Sequence, residues 1–413
     1  MTSPRFTVQR LEWSDEELGS IDLPRRAMKI RAGFGSGLAT RPGDAPGQFW
    51  AIGDRGPNLK VETAIERYGL TGLEHLDGLD GAKIMPRLDL GPALAALRVV
   101  EDRVELIRSI RIRCADGSPV SGLLVPEGGH AECEPALDLD GNRLAADPSG
   151  LDSEGVVALA DGGFWVGDEF GPSLVRLDPD GRILRRLVPE GVALTGAAYP
   201  VEEALPALAA RRQLNRGFEA LALSPDGNAL FLAFQSPLAH PDEAAHEAGR
   251  HVRLWRLDAR SGAVTAQYLY PFDAPASFRR DSEEGRLDWC DLKVSELAWV
   301  GTESLLVLER GSKTTKIYRV APTDAAALPD AQLAIATRPT VEQMSARAED
   351  FALPVLAKQL VFSTDDAPEI AADLEGMIVL SAFEILLVND NDFGVEGAGT
   401  SFWRVRFDEP ILR

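Results

Sequence analysis

Cysteine is scarce in this chain, with three in 413 residues. Cys114, Cys133 and Cys290 stand far apart, which excludes a disulfide framework and a cysteine-rich zinc site. Positive charge is also in deficit: 43 Lys and Arg face 64 Asp and Glu, for a formal net charge of −21. A nucleic acid or an anionic membrane surface needs a basic face, so neither is expected as a partner. No apolar run approaches the length of a membrane span, and the opening MTSPRFTVQRLEW lacks the apolar core of a signal peptide. A cytoplasmic location is the expectation, or a periplasmic or secreted one if the chain is a processed form. No GxSxG elbow, P-loop or GxGxxG after a strand is present, and long helical stretches are almost absent.

Short strands with turn signals fill the sequence instead. Leu151–Pro172 reads as a hairpin, with apolar runs Gly155–Leu159 and Gly163–Val166 joined by Ala160-Asp161-Gly162. Acids stand at both open ends, Asp152 and Glu154 before the first strand and Asp168 and Glu169 after the second, so a hairpin brings all four together. The plan recurs. A first strand begins at Ser36, Glu154, Glu219, Glu296 or Glu375, and a second ends at Asp54, Asp168, Gln235, Glu309 or Asn389. The spacing is too wide for a solenoid but suits four-stranded blades carrying insertions. The expected fold is therefore all-β, a single β-propeller over 1–413. Insertions fall near 61–90, 190–215 and 321–350, and Val201–Gln213 reads as helical. Five blades is the direct count, and the long stretch between Ser36 and Glu154 leaves room for a degenerate sixth. The last unit lacks a fourth strand, which Arg5–Trp13 is placed to supply, closing the ring.

In a blade the start of the first strand and the end of the second share one face. That geometry gathers Glu154, Glu219, Glu296 and Glu375 around one channel mouth. Asp54, Arg55, Asp168, Glu169, Glu309, Arg310, Asn389, Asp390 and Asp392 fall in the neighbouring loops. A ring of glutamates repels itself unless protons or a cation compensate. Hard divalent cations, calcium first, take carboxylate and amide oxygens of this kind. The expected metal ligands are Glu154, Glu219, Glu296, Glu375, Asp54, Asn389, Asp390 and Asp392. Arg55 and Arg310, with Lys313 nearby, offer positive points for a small anionic substrate. The blander reading of any one glutamate is a latch accepting backbone N–H groups from the next blade. His240, His246 and His251 fall in a polar loop at irregular spacing and read as exposed. His130-Ala131-Glu132-Cys133 forms no ligand motif, and Trp50 and Trp165 read as core.

The ordered set of stretches resembles the phytase-like family described by esterase-like activity. It comprises Asp152-Ser153-Glu154-Gly155 with Phe164–Pro172, Arg216–Leu221 with Ser224-Pro225-Asp226-Gly227, Leu308-Glu309-Arg310-Gly311, and Leu374-Glu375-Gly376 with Asn389–Phe393. The resemblance spans roughly residues 30–407 and implies a β-propeller that hydrolyses phosphoric or carboxylic esters. The Asp-Ala-Asp-Asp-Pro-type motif of established propeller phytases is absent. With that resemblance the expectation is a calcium-dependent hydrolase of small anionic esters, its site inferred from geometry. Asp168 or Glu169 serves as general base, and Arg55 and Arg310 neutralise developing charge. The alternatives are a non-catalytic binding propeller and a lactonase or sugar-acid hydrolase.

Overall fold

A computed structural model describes residues 5–76, 78–79, 81–126, 134–347 and 351–411. His130 to Cys133 lie outside the described residues. Strands dominate, with only short helices between them, and among the described residues no helix is long and apolar enough to cross a membrane.

The strands form five principal sheets, each an antiparallel meander. The first contains Gly37–Ala39, Gln48–Ile52, Ala93–Val100 and Arg103–Arg111. The second contains Ser153–Ala158, Phe164–Asp168, Ser173–Leu177 and Ile183–Pro189. The third contains Phe218–Leu223, Ala229–Phe234, His251–Asp258 and Val264–Pro271. The fourth contains Lys293–Val300, Ser304–Arg310, Thr315–Val320 and Lys358–Ser363. The fifth contains Leu374–Ser381, Glu384–Asn389 and Phe402–Phe407, and its edge is taken by Phe6–Leu11 from the other end of the chain.

The first strand of each sheet touches the first strand of the next, and the fifth touches the first. These inner strands approach closely. A Cβ at Gly155 would stand 2.5 Å from the Glu219 carbonyl oxygen, and one at Gly37 would stand 2.5 Å from that of Glu154. Only glycine lets neighbouring backbones come so near at these two positions. Large side chains fill the space between sheets: Trp50 and Trp165 are buried core residues, as is Trp255. Their indole N–H groups are satisfied by Asp44, by the Ala259 carbonyl and by Gln267, respectively. Burying rings of this size is the main source of cohesion between sheets.

Two local expectations are corrected. Val201–Leu205 is not helical but a fifth strand, parallel to Ile183–Pro189, and only Ala207–Arg211 beyond it turns as a 3₁₀ helix. Edge pairing outweighed the helix preference of its Glu and Ala residues. His240 and His246 are buried rather than exposed, with His246 Nδ1 2.7 Å from the Pro237 carbonyl oxygen.

A smaller layer stands beside the five sheets. The hairpin Glu17–Ile21 with Met28–Arg31, the helix Val61–Tyr68 and the loop at Phe393 share an apolar cluster containing Ile30, Leu59, Tyr68, Ile84 and Val395. This layer fixes the loops that follow Asp54 and Asn389. Asn391 Nδ2 donates to the Ala32 carbonyl at 3.0 Å, and the Tyr68 hydroxyl donates to that of Val395.

Candidate functional site

Strand register explains how the repeated acids reach one place. The second sheet pairs Ser153 with Asp168, then resumes at Val156 with Val166, so Glu154 falls in a β-bulge. The third sheet skips Glu219 between the pairs Phe218–Phe234 and Ala220–Ala233, and the fifth skips Glu375 between Leu374–Asn389 and Gly376–Val388. A bulge leaves one residue unpaired and re-aims its side chain. Here the glutamate falls in the bulge each time, alone in the third and fifth sheets and with Gly155 in the second.

The fourth sheet departs from the expected alignment. Its skipped residue, between Val294–Glu309 and Glu296–Leu308, is Ser295. Glu296 sits one place further on, at the position of Ala220 and Gly376. It is fully buried, and its carboxylate accepts N–H groups from Leu38 at 2.8 Å and Leu297 at 3.0 Å. It is thus a latch across to the first sheet, with each carboxylate oxygen bound to a backbone N–H.

Asp54, Asp152 and Glu154 converge. Each presents a carboxylate oxygen within 4.8 Å of the others, and all three lie in the interior. Among the described residues neither Asp152 oxygen has a hydrogen-bond donor, and the cation beside it is Arg55, whose Nε is 3.4 Å away. Arg55 is itself buried, held by Glu134 at 2.6 Å and 3.9 Å from Asp54. Burial and the neighbouring Asp152 push the Asp54 carboxyl well above the ordinary range. Burial, then Asp54, does the same to Glu154.

Around this group stand Glu169, Glu219, Glu375 and Asp390. Glu169 accepts from Gln235 Nε2 at 2.9 Å, and Glu219 keeps an Oε2 with no donor. Glu375 accepts from Arg310, which also meets Asp373 at 3.3 Å and Ser295 Oγ at 2.9 Å. Asp390 accepts from Ser36 Oγ at 3.0 Å. Burial raises the carboxyls of Glu169, Glu219, Glu375 and Asp390 as well. Carboxylates crowded this closely hold protons or a cation.

Several expected participants are committed elsewhere. Asp168 is buried and ion-paired with Arg186, and it also accepts from Ser173 Oγ and Gly171 N, both at 3.1 Å. Burial pushes its carboxyl up to about 6 against the pull of Arg186. Asn389 Oδ1 accepts from Ser401 N and Oγ at 2.8 and 2.7 Å, leaving its amide oxygen occupied. Asp392 stands on the exposed rim. Glu309 lies between the third and fourth sheets, bound to Tyr270, Lys358 and the Asp273 N–H. Lys313 pairs with Glu284 at the surface.

Asp152, Lys293 and Arg216 were not among the expected site residues. Asp152 was visible as an acid beside the hairpin. Lys293 and Arg216 each immediately precede a copy of the repeat, and that position is the signal that would have found them.

Comparison with known proteins follows from this geometry. A secreted protein of Arthroderma benhamiae is 26% identical over 334 residues, covering 70% of this chain; the chain spans 62% of that relative's length. Among solved structures, the PQQ-bound aldose sugar dehydrogenase of Streptomyces coelicolor aligns over 98% of this chain and 99% of its own, at 10% identity and TM-score 0.35. Virginiamycin B lyase of Staphylococcus aureus aligns over 98% and 100% at the same identity and score. Both scores are too low to add to the strand pairings. The family model described as Phytase-like, esterase-like activity of phytase, matches residues 30–393, and the chain belongs to that family.

Proposed function

We propose that the chain is a five-bladed propeller hydrolase that acts on small anionic esters with a divalent cation, calcium first, at one channel mouth. The blade count and ring closure are supported by the sequential contacts of the first strands and by the pairing of Phe6–Leu11 with Phe402–Phe407. The observation that carries the proposal is Asp152. A buried carboxylate with no hydrogen-bond donor on either oxygen is costly, and Asp54 and Glu154 beside it add to the cost. A hard cation relieves all three, because its preferred ligands are carboxylate oxygens.

Asp54, Asp152 and Glu154 would hold the cation, and Glu219, a charged neighbour of Glu154 whose Oε2 has no hydrogen-bond partner, is a further candidate ligand. When bound, the cation supplies Lewis acidity and lowers the pKa of water beside it. Arg55 fixes Asp152 and Asp54 in place, so its role is positioning rather than direct contact with substrate. Glu169, oriented by Gln235, replaces Asp168 as the preferred general base, since Asp168 is tied to Arg186. Arg310 is likewise held by Glu375 and Asp373. The secreted relative favours an exported chain over a cytoplasmic one.

The test pairs metal analysis with turnover. Purified protein is assayed for bound calcium by mass spectrometry and for hydrolysis of p-nitrophenyl phosphate and p-nitrophenyl acetate, with and without chelator. Hydrolysis of either ester that the chelator abolishes and calcium restores is expected. Turnover that survives complete metal removal sinks the mechanism, and calcium binding with no hydrolysis of either ester favours a binding propeller.

A further inference from the structure

We propose that Lys293 and Arg216 form an anion subsite on the far side of the same mouth, built for the phosphoryl group of a phosphate monoester. This rests on the hydrolase reading above and names its substrate class.

Register places the two halves of the mouth in correspondence. Asp152 precedes Ser153, which pairs with Asp168; Lys293 precedes Val294, which pairs with Glu309. One position of the repeat thus carries an acid in the second sheet and a base in the fourth. Lys293 stands directly opposite Arg310 in the antiparallel pair. Like charges opposed in this way destabilise a sheet unless something offsets them. Arg216 joins them, with Nη1 3.4 Å from the carbonyl oxygen of Leu292, the residue before Lys293.

The three cations differ in what they hold. Arg310 is saturated by Glu375, Asp373 and Ser295. Among the described residues, no carboxylate lies within ion-pair distance of Lys293 or Arg216. Burial and the repulsion of Arg310 and Arg216 lower the Lys293 ammonium from its ordinary value, while Glu219 and Glu375 oppose the shift. Burial likewise lowers Arg216. Two adjacent, desolvated and unpaired cations match a dianion better than a singly charged carboxylate. A guanidinium fork beside an ammonium suits phosphoryl oxygens. A monoester bridging the mouth would put its phosphoryl group on Lys293 and Arg216, with the acid cluster facing it.

Binding of inorganic phosphate in calcium-free buffer, followed by titration calorimetry, tests this without requiring turnover. Wild type should bind phosphate, and Lys293→Met or Arg216→Gln should weaken binding at least about tenfold, the loss of one charge-assisted contact. Lys293→Arg should retain binding, which controls for folding. Asp152→Asn should bind phosphate like wild type even where it has lost the cation, so failure of the hydrolase reading and failure of this one are told apart. Sulfate should compete and acetate should not. Wild type that binds no phosphate, a folded Lys293→Met variant that binds it unchanged, or acetate that displaces it equally well would each overturn the subsite. In the first two cases Lys293 serves only to offset Glu219 and Glu375.

Discussion

Asp152 and Glu309 are both acids near the open end of a hairpin, and both are buried, yet their surroundings have opposite completeness. Glu309 accepts from the Tyr270 hydroxyl at 2.5 Å, Lys358 Nζ at 2.6 Å and the Asp273 N–H at 2.7 Å. Asp273 in turn meets Lys358 at 3.0 Å and Lys316 at 2.9 Å. Every charge in that cluster has a partner, so it fastens the third sheet to the fourth. Around Asp152 the donors run out. A buried polar group that is satisfied explains itself as structure, whereas one that is not points to something that binds.

Four experiments break or sharpen the contrast. The largest effect is expected from Asp152→Asn, which should remove detectable calcium binding and reduce ester turnover at least about 100-fold, as loss of a metal ligand does. Calcium should also raise the melting temperature of wild type but not of this variant. Glu309→Gln should do the reverse. Breaking the buried network around Lys358 should cost about 3 kcal/mol in denaturant unfolding, with turnover per folded molecule unchanged.

The third concerns pH. Burial lifts the Glu296 carboxyl well above the ordinary range, against the backbone N–H groups that bind it. A carboxyl raised in the folded state contributes stability that is complete below its unfolded value of about 4.3 and is lost as pH climbs through the raised value. The melting temperature of chelator-treated protein should therefore fall as pH rises above about 4.3, and Glu296→Gln should lessen that slope by one group's share, the other raised carboxyls supplying the rest. Melting curves across the range would show it. The smallest effect belongs to Lys313→Ala. Its partner Glu284 is exposed, so stability should change by less than about 0.5 kcal/mol and turnover not at all.

Much of this architecture could be read in advance because it is written as a repeat. The hairpin at 151–172 and the strand at the N-terminus follow from turn residues and alternation, and the family from the resemblance of the ordered motifs. The gathering of Glu154, Glu219 and Glu375 follows from the repeat, since each glutamate begins the first strand of its unit and these strands lie side by side. What escaped was set by a one-residue offset and by distant partners. Glu296 shares its motif with the channel glutamates, but the bulge falls on Ser295, and a bulge leaves no mark in composition. Asp168 looked available until Arg186, two strands away, was seen to hold it. Lys293 and Arg216 carry only a positional signal, just before a copy of the repeat, and nothing local says that their neighbours would leave them unpaired.

The pairing of Phe6 with Phe407 sets an order of events as well as a shape. Phe6–Leu11 is among the last strands to find its place, because its neighbour Phe402–Phe407 is synthesised long after it. Until then Phe402–Phe407 presents an unpaired edge, a ready template for another chain. Loss of Phe6–Leu11 would make that exposure permanent, so a few residues at the start of the chain guard it against self-association.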